Sequence, residues 1–415
     1  MSADLSTPTS DVPAAAPEAP AGRPPAVLQV LPALVTGGVE RGTVEITQAL
    51  VKAGWRAVVA SAGGGMVHEI ERAGGTHVTL PLKTKNPLGI RRNIRHLAAL
   101  IERENIDLVH ARSRAPAWSA YFAAKRTGRP FMTTFHNVYG GKGRLKRWYN
   151  SIMARGVRVI AISEFVGRAA TKTYGVEQDR LRVIPRGVDL TRFDPEAVHP
   201  SRLVQLAKDW QLKDGLPVVM LPGRVTRWKG HIELLQAMQR LPHRDFQVVF
   251  VGDHEQKPAF RDELVRTVKQ LGLQGHVQLV GDCRDMGAAF MLADVVVSAS
   301  TEPEGFGRIA VEAQAMGRPL VATDHGGSRE TVLPGVTGWL VPPGDRGALA
   351  QAVGEALALT PEARAEMAAS ARALMIRHFD TKLMCQATLA VYTEILFPEP
   401  TGEPVDTAAL QGALG

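Results

Sequence analysis

Short apolar runs alternate with amphipathic stretches along most of the chain. The mostly apolar run from Val27 to Leu34 (VLQVLPAL) predicts a buried strand, and VEITQALVKAG after it has the apolar spacing of a helix that ends at a glycine. The same alternation recurs through DLVHARS, PFMTTFH and VRVIAIS. Strands that alternate with helices predict parallel sheets with helices on both faces. We therefore expect an α/β fold.

The alternation is interrupted once, between Asp194 and Asp214, where the pattern is irregular and polar. A second series begins at LPVVMLPG and runs to GWLV. We predict two Rossmann-like, doubly wound domains that face a central cleft, over residues 26–195 and 214–380, with a linker at 196–213. A closing helix at 381–397 is expected to pack back on the first domain. Two tails rich in proline and small residues, 1–25 and 398–415, are expected to be loose.

The composition is that of a soluble globular protein, with 45% hydrophobic and 22% charged residues. Cys283 and Cys385 are the two cysteines, and their spacing matches no metal or disulfide pattern, which favours the reducing cytoplasm. No apolar run approaches the roughly 18 residues of a membrane span. The N-terminal residues also lack the charged start and apolar centre of a signal peptide.

Glycines and cations mark two of the strand-to-helix connections. Gly37 and Gly38 let a ligand approach the backbone before a helix, although a tight turn explains them equally well. In GRVTRWKG, Arg224 and Lys229 stand five residues apart after the first strand of the second series. Two cations at the mouth of a cleft suit a diphosphate. The alternative is a pair of exposed basic residues in a loop.

The segment TEPEGFGRIAVEAQAMG, residues 301–317, combines a loop, two glutamates and the start of a helix. Gly305 and Gly307 leave backbone N–H groups accessible where the helix N-terminus attracts anions. Glu304 in the loop could accept hydrogen bonds from sugar hydroxyls, and Glu312 in the helix could hold a ribose diol. Taken alone, the first is also explained as a helix-dipole carboxylate and the second as an exposed helix residue. Together with Arg224 and Lys229, they indicate a nucleotide-sugar site.

These motifs, in this order, resemble the GT-B glycosyltransferases of family 4 (GT4). The resemblance rests on Glu304 and Glu312 with seven residues between them, on Gly223-Arg224 with Lys229-Gly230, and on the AISEF, IPRGVDLTRF, GGSRETV and GVTGWLVPPGD segments. In the basic stretch Gly140 to Val159, the resemblance is to bacterial enzymes of surface-polysaccharide and lipopolysaccharide core synthesis, and it is much less specific there than in the donor motifs. The family resemblance as a whole covers roughly Val27 to Phe397. It implies retaining hexosyl transfer from a nucleotide-diphospho-sugar, linked to UDP or GDP, without a cofactor or a catalytic metal. The absence of Asp-x-Asp agrees with the last point.

The resemblance also implies roles for single residues. Arg224 and Lys229 would stabilise the leaving diphosphate, Glu304 would hold the donor hexose, and Glu312 would hold the ribose. His136, at the end of PFMTTFH, would contact the donor sugar or orient the acceptor, although a lone histidine is often only structural. Further donor contacts are expected at the following residues: Gly37, Gly38, Cys283, Arg284, Gly305, Phe306 and Gly307. Fixed cations would stabilise charge on the departing diphosphate, and front-face transfer is our mechanistic hypothesis.

Positive charge is concentrated in one part of the chain. From Lys83 to Arg158 there are 17 Lys and Arg residues against three carboxylates, a net +14, while the whole chain carries +8. Basic residues mixed with aromatic ones suit an anionic, lipid-linked acceptor and an anionic membrane surface at the inner face of the plasma membrane. The expected patch comprises Arg91, Arg92, Arg95, Lys142, Arg144, Lys146, Arg147 and Trp148. A merely solvated basic surface is the alternative, and no nucleic-acid-binding module is recognised.

Other function classes fit the motifs less well. A non-catalytic sugar-nucleotide or glycan-binding protein of the same fold remains the main alternative. The presence of all five residues with an expected role in the reaction argues against a loss of activity: Arg224, Lys229, Glu304, Glu312 and His136. A nicotinamide oxidoreductase is disfavoured because GxGxxG with its downstream acid is missing. An epimerase or a phosphorylase of the GT-B fold matches the motifs less well than a transferase does.

Overall fold

The computed structural model of the chain describes residues 23–35, 37–140 and 143–398. Residues 1–22 and 399–415, which belong to the expected tails, and Lys142 of the expected basic patch lie outside the described residues. Within these ranges, strands and helices alternate in two successive sets, and each set builds one parallel sheet.

The first sheet contains seven strands in the described ranges, in the order β3-β2-β1-β4-β5-β6-β7, and all its neighbours are parallel. Its strands are β1 (Ala26–Val30), β2 (Arg56–Ser61), β3 (Thr76–Thr79), β4 (Leu108–Ala111), β5 (Phe131–Phe135), β6 (Val159–Ala161) and β7 (Leu181–Val183). The helices between them are α1 (Gly38–Lys52), α2 (Val67–Arg72), α3 (Pro87–Arg103), α4 (Arg114–Arg126), α5 (Arg144–Asn150) and α6 (Glu164–Tyr174).

The second sheet has six strands in the part of the chain that the structure describes, in the order β10-β9-β8-β11-β12-β13, again all parallel. Its strands are β8 (Val218–Pro222), β9 (Gln247–Val251), β10 (Val277–Leu279), β11 (Val295–Ser298), β12 (Leu320–Thr323) and β13 (Trp339–Val341). The remaining helices are α7 (Pro200–Asp209), α8 (His231–Met238), α9 (Pro258–Gln270), α10 (Met286–Leu292), α11 (Arg308–Ala315), α12 (Ser328–Thr331), α13 (Arg346–Leu357), α14 (Pro361–His378) and α15 (Thr381–Leu396).

Each sheet reverses its winding direction once. The reversal lies between β1 and β4 in the first sheet and between β8 and β11 in the second. Loops that follow the two central strands diverge there and leave a crevice at the carboxyl ends of the strands, where doubly wound sheets bind ligands. The expected fold class, two Rossmann-like sheets in a GT-B arrangement, is confirmed.

The strand expected over Val27–Leu34 is shorter than the apolar run that predicts it. It ends at Val30, because Pro32 lacks an N–H group and the chain turns. Leu31 and Leu34 are nevertheless fully buried, in a cluster with Val44 and Val59. Burial in a loop therefore extends the apolar pattern beyond the strand.

The segment expected to be an irregular linker contains helix α7. Pro200 occupies its first turn, and the His199 side chain accepts a hydrogen bond from the Ser201 N–H at 3.3 Å. Leu203 and Leu206 lie on one face of this helix and pack against the main apolar core. Ala207 and the buried Trp210, which directly follows the helix, continue this face with helical spacing. The face is short and surrounded by polar residues, which explains why the pattern looks irregular.

Helix α15 returns to the first domain. Met384, Leu389 and Tyr392 pack with Ile46 of α1 and Ile160 of β6 in one buried cluster. The crossing is guided by the backbone, since the Val188 N–H donates to the Phe379 carbonyl at 2.7 Å and the Thr381 N–H donates to the Val188 carbonyl at 3.1 Å. The two domains are thus connected by the linker and by this second crossing.

Candidate functional site

The loops after the two central strands of the second sheet form one wall of the cleft. Lys229 lies in a 3-10 turn, Arg227–Lys229, after β8, and Glu304 lies in the loop after β11. The Thr301 N–H donates to the Trp228 carbonyl at 2.7 Å and connects the two loops. The topology of the sheet therefore brings together two residues that are 75 positions apart.

Lys229 and Glu304 form an ion pair with little exposure to solvent. Lys229 Nζ is 2.7 Å from Glu304 Oε1, and the two side chains are 10% and 16% exposed. The Ser300 hydroxyl donates to the same carboxylate oxygen, and Lys229 Nζ lies 4.6 Å from the centre of the Trp228 ring. Both charges are thus held in place at the wall of the cleft, which is what stabilisation of a developing charge requires.

Helix α11 begins at this wall. Gly307, its N-cap residue, has φ +83°, a left-handed conformation that favours glycine, and no side chain caps the first turn. Among the described residues, the backbone N–H groups of that turn therefore have no side-chain acceptor, and the helix dipole adds partial positive charge. An anion placed there would be favoured.

Glu312 is buried in α11 rather than exposed, with 9% of its surface accessible. Arg308, one turn earlier, donates from Nη2 to Glu312 Oε1 at 2.8 Å. A methyl group placed on Gly38 of the first domain would lie 3.5 Å from Arg308 Cδ. Arg308 therefore fills the space between Glu312 and the opposite wall of the cleft.

His136 and the loop after β11 meet across the cleft. A methyl group on Gly305 would lie 3.1 Å from the His136 carbonyl oxygen, and the Ser163 hydroxyl donates to the Gly305 carbonyl at 2.6 Å. Burial, followed by the neighbouring guanidinium groups of Arg112 and Arg186, lowers the pKa of His136 well below its usual value. The imidazole is therefore neutral at neutral pH.

Two family models match nearly the whole described chain. Glycosyltransferase Family 4 matches residues 36–192, and Glycosyl transferases group 1 matches residues 205–374. The D-inositol 3-phosphate glycosyltransferase of Xylanimonas cellulosilytica is 31% identical over 304 residues, which cover 69% of this chain and 72% of that protein. The chain belongs to glycosyltransferase family 4.

Solved structures agree with this assignment. The crystal structure of a glycosyltransferase from Rickettsia africae is 38% identical and superposes with a TM-score of 0.85 over 91% of this chain and 100% of that one. Anabaena HepE in complex with UDP-glucose shares the fold, with 24% identity, a TM-score of 0.77, and coverage of 89% and 99%. The resemblance read from the motifs is thereby confirmed at the level of family and fold.

The structure of this glycosyltransferase places the other expected donor residues as follows. Gly37 is exposed and is the N-cap residue of α1. Phe306 is buried and packs on Phe379, with the ring centres 5.9 Å apart, so its backbone rather than its ring faces the helix start. Arg224 is exposed and its side chain makes no hydrogen bond or ion pair with the described residues.

The loop after β10 lies farther along the same edge of the second sheet. Cys283 is half-buried, and burial raises the pKa of its thiol. The neighbouring Arg284 is exposed, and its carbonyl accepts a hydrogen bond from Arg192 at 3.3 Å. Both remain predicted donor contacts.

The expected basic patch lies on neighbouring helices of the first domain. Arg91, Arg92 and Arg95 are exposed on α3. On α5, Trp148 is 59% exposed and stacks on Trp118 of α4 with the ring centres 4.7 Å apart. Exposed Arg144, Lys146 and Arg147 share α5 with it. Within the described residues, no helix is long and apolar enough to span a membrane.

Sequence reasoning missed four polar residues of this glycosyltransferase's cleft: Ser300, Arg308, Arg112 and Arg186. The sequence could have indicated Arg308, because it directly follows Gly307 at the start of the helix that is expected to bind the donor. Arg112 and Arg186 each follow an apolar strand, β4 or β7, but nothing local shows that they turn inward. No three His, Cys, Asp or Glu side chains of the described ranges are grouped to hold a metal ion.

Proposed function

We propose that this glycosyltransferase moves a hexose from a nucleoside-diphosphate sugar to an acceptor held by the first domain, with retention of the anomeric configuration and without a metal or another cofactor. The Lys229–Glu304 pair beside the uncapped start of α11 is the observation that carries the proposal. At this position a cation, a carboxylate and backbone N–H groups lie next to one another. A sugar diphosphate needs all three.

Each group has a distinct role in the proposed reaction. The diphosphate binds to the α11 N-terminus, Lys229 and Arg224, and Glu304 accepts hydrogen bonds from hexose hydroxyls. Glu312, buried beside Arg308, binds the ribose diol. As the anomeric bond breaks, negative charge grows on the diphosphate, and the fixed cations stabilise it without reorganising. The acceptor hydroxyl attacks from the face that the diphosphate leaves, next to neutral His136, and its proton passes to an oxygen of the departing diphosphate as the new bond forms.

A thermal-shift panel with UDP, GDP, ADP and their hexose conjugates tests the donor site. A ligand that binds only the folded state raises the melting temperature through mass action. We expect a shift with one nucleotide family, and its loss in Glu312→Ala. Glu302→Ala is the matched control, because Glu302 is an exposed carboxylate in the same loop. A folded protein that responds to none of these ligands would contradict the proposal.

Transfer itself is tested by donor turnover. With the donor found by the panel, the enzyme should release nucleoside diphosphate slowly to water and faster when an acceptor is present. The product's anomeric configuration, read by NMR, should match that of the donor. Donor binding without any turnover would favour a sugar-nucleotide-binding protein of the same fold.

We further propose that the acceptor is a glycan or lipid-linked molecule of the cell envelope, in polysaccharide or lipopolysaccharide synthesis, reached from the cytoplasmic side. The support is the exposed patch on α3 and α5, where Trp148 and several cations point outward. Aromatic and basic side chains of this kind bind at anionic lipid surfaces. A small phosphate-bearing polyol is the second candidate, because the 31% identical relative is named a D-inositol 3-phosphate glycosyltransferase.

Vesicle sedimentation at low salt tests the membrane contact. Each basic residue near an anionic bilayer contributes about 1 kcal/mol, so Arg144→Glu with Lys146→Glu should abolish binding to vesicles rich in phosphatidylglycerol. Arg266→Glu, an exposed change on α9 of the second domain, is the control. No binding by the wild-type chain would remove the membrane proposal and leave the donor site unaffected.

A further inference from the structure

Two arginines of the first domain are buried at the carboxyl ends of its strands. Arg112 follows β4 directly, and Arg186 comes shortly after β7. Each residue is only 3% exposed. Arginine is rarely buried to this extent unless its charge is paired.

Gly42 of α1 brings the two guanidinium groups together. A methyl group at Gly42 would lie 2.1 Å from Arg186 Nη1 and 2.9 Å from Arg112 Nη2. These nitrogen atoms are therefore at most about 5 Å apart, the sum of the two distances. Two like charges this close repel each other in an interior, unless an anion lies between or beside them.

Protein groups accept only some of the hydrogen bonds that these two guanidinium groups can donate. Arg112 donates to Gln29 Oε1 at 3.2 Å, and Arg186 donates to Glu45 Oε2 at 3.5 Å. Arg112 Nε, Arg186 Nε and Arg186 Nη1 are buried with no partner among the described residues. Leaving such donors unsatisfied is costly, so their arrangement indicates a missing acceptor.

The residues that carry these unpartnered atoms line one small cavity. It has a volume of about 20 Å³ and is lined by Arg112, Arg186, Thr134 and His136, with apolar side chains of β6 and α15. His136 Nε2 is also buried without a partner among the described residues, although the residue as a whole is partly exposed. A space of this size holds one oxygen-sized group and no larger ligand.

Two buried positive charges adjoin the cavity, and one buried carboxylate pairs with them. Arg112 and Arg186 bring two positive charges, and Glu45, 9% exposed, brings one negative charge. Burial lowers the pKa of Arg186 to about 10, so both guanidinium groups stay charged at neutral pH. Glu40 of α1 is a second nearby carboxylate for Arg112, and Arg308 adds a further positive charge near Arg186.

We propose that Arg112 and Arg186 bind an oxyanion of the acceptor, a phosphate or a carboxylate group that places one oxygen in this cavity and keeps the rest of the acceptor in the cleft beside His136. The inference rests on the proposed function, because it assigns the acceptor to the first domain. It makes the acceptor of this enzyme an anionic molecule. Guanidinium forks suit both kinds of oxyanion.

Binding of simple anions to the whole chain tests this site. Thermal shifts are measured with inorganic phosphate and, separately, with acetate, against chloride at equal ionic strength. The Arg224→Ala background weakens phosphate binding at the donor site, where Lys229 and the α11 N-terminus remain, so the effect of the Arg112 and Arg186 variants in this background identifies the site. We expect phosphate or acetate to bind in that background, and the stronger of the two identifies the acceptor group. Arg112→Gln or Arg186→Gln should weaken binding about tenfold or more.

Arg318→Gln is the matched control, since Arg318 is a half-buried arginine of the second domain whose pKa burial also lowers. It should leave the anion response unchanged. If the glutamine variants unfold, the Nε–Hε NMR signals of arginine in the wild-type protein replace them, and phosphate or acetate should move two buried signals. Equal anion binding in wild type and both variants, or no moving buried signal, would overturn the inference.

The nucleotide panel separates this inference from the proposed function. Arg186→Gln should still bind the donor nucleotide as wild type does. If the nucleotide response is absent while the anion response depends on Arg112 and Arg186, the donor proposal fails and the anion site stands. If the nucleotide response is present and the anion response is absent, the anion site fails and the donor proposal stands.

Discussion

Lys229 Nζ lies 2.7 Å from Glu304 Oε1, between the loops that follow the two central strands of the second sheet. The pair is partly buried, and Glu304 has only one further side-chain partner in the described chain, Ser300. Each charge thus holds the other in place at the wall of the cleft. Removing one partner leaves the other charge poorly compensated.

We expect Lys229→Ala to lower kcat/KM by about 10²- to 10³-fold, the range found when one preorganised group that stabilises a transition state is removed. Glu304→Gln should also lower it, and the double variant should lose less than the sum of the two effects in free energy. Steady-state kinetics of the four proteins measures this coupling.

Arg227→Ala is the control for this cycle. Arg227 lies in the same 3-10 turn, but its side chain is 66% exposed and pairs with Glu263 on the outside. Exposed pairs contribute little, so its kinetics should stay within about twofold of wild type. A Lys229 variant that behaves like the Arg227 variant would show that the pair has no role in the reaction.

Replacing Gly42 by alanine is expected to destabilise the protein, although Gly42 lies in a helix. Glycine to alanine in a helix usually stabilises by up to about 1 kcal/mol. Here the new methyl group would lie 2.1 Å from Arg186 Nη1. The guanidinium group would have to move, which costs about 1 to 3 kcal/mol for an overpacked site. The melting temperature of Gly42→Ala should therefore fall.

Gly354→Ala provides the comparison, because its methyl group would make only an ordinary contact, 3.5 Å from Leu241 Cδ2, within α13. That variant should melt at the same or a higher temperature than wild type. The cost of Gly42→Ala should shrink when Arg186→Gln is also present. A Gly42→Ala protein as stable as Gly354→Ala would mean that Arg186 does not rest against Gly42 in solution.

Much of the fold follows from the sequence by local rules. Runs such as Val295–Ser298 have the length and β-branched content of buried strands, and glycines with polar residues mark the turns between them. The order of loops then places Lys229 and Glu304 at strand ends. Helix α7 is not predicted by these rules, because its apolar face, Leu203, Leu206 and Trp210 at the helix end, is short and surrounded by polar residues.

The site is predictable in its residues but not in its contacts. Glu304 and Lys229 are recognised from their motifs, while their mutual pairing depends on the separation of β8 and β11 in space. Arg186 illustrates the limit most clearly. Its burial depends on Gly42, 144 positions earlier, leaving room for a guanidinium group. No pattern within either segment encodes that relationship.

Buried histidines should make the protein less stable in mild acid. Burial lowers the pKa of His231 to about 4, against 6.5 in the unfolded chain. Between these values the unfolded state binds a proton that the folded state does not, so stability is lost as the pH falls through this window. The full loss from this one group is on the order of 3 kcal/mol.

Melting temperatures of wild type and His231→Gln between pH 7.5 and pH 4.5 measure this effect. His231→Gln should be less stable at pH 7.5, because packing against Phe250 and Phe260 is lost. Its melting temperature should nevertheless depend less on pH than that of wild type. Parallel curves for the two proteins would mean that His231 is not buried as a neutral ring.

Glu330 of the second domain holds the start of α6 in the first domain, and we expect this contact to favour the closed cleft. Its carboxylate accepts hydrogen bonds from the Glu164 and Phe165 N–H groups, at 2.8 and 2.7 Å. A carboxylate at a helix N-terminus contributes about 0.5 to 2 kcal/mol.

The Glu330→Ala variant should therefore populate open forms of the protein, with a larger radius of gyration in X-ray scattering. Glu362→Ala, an exposed first-turn glutamate of α14, should scatter as wild type does. Identical scattering from the Glu330 and Glu362 variants would show that other contacts, such as the Ser163–Gly305 hydrogen bond, hold the domains together.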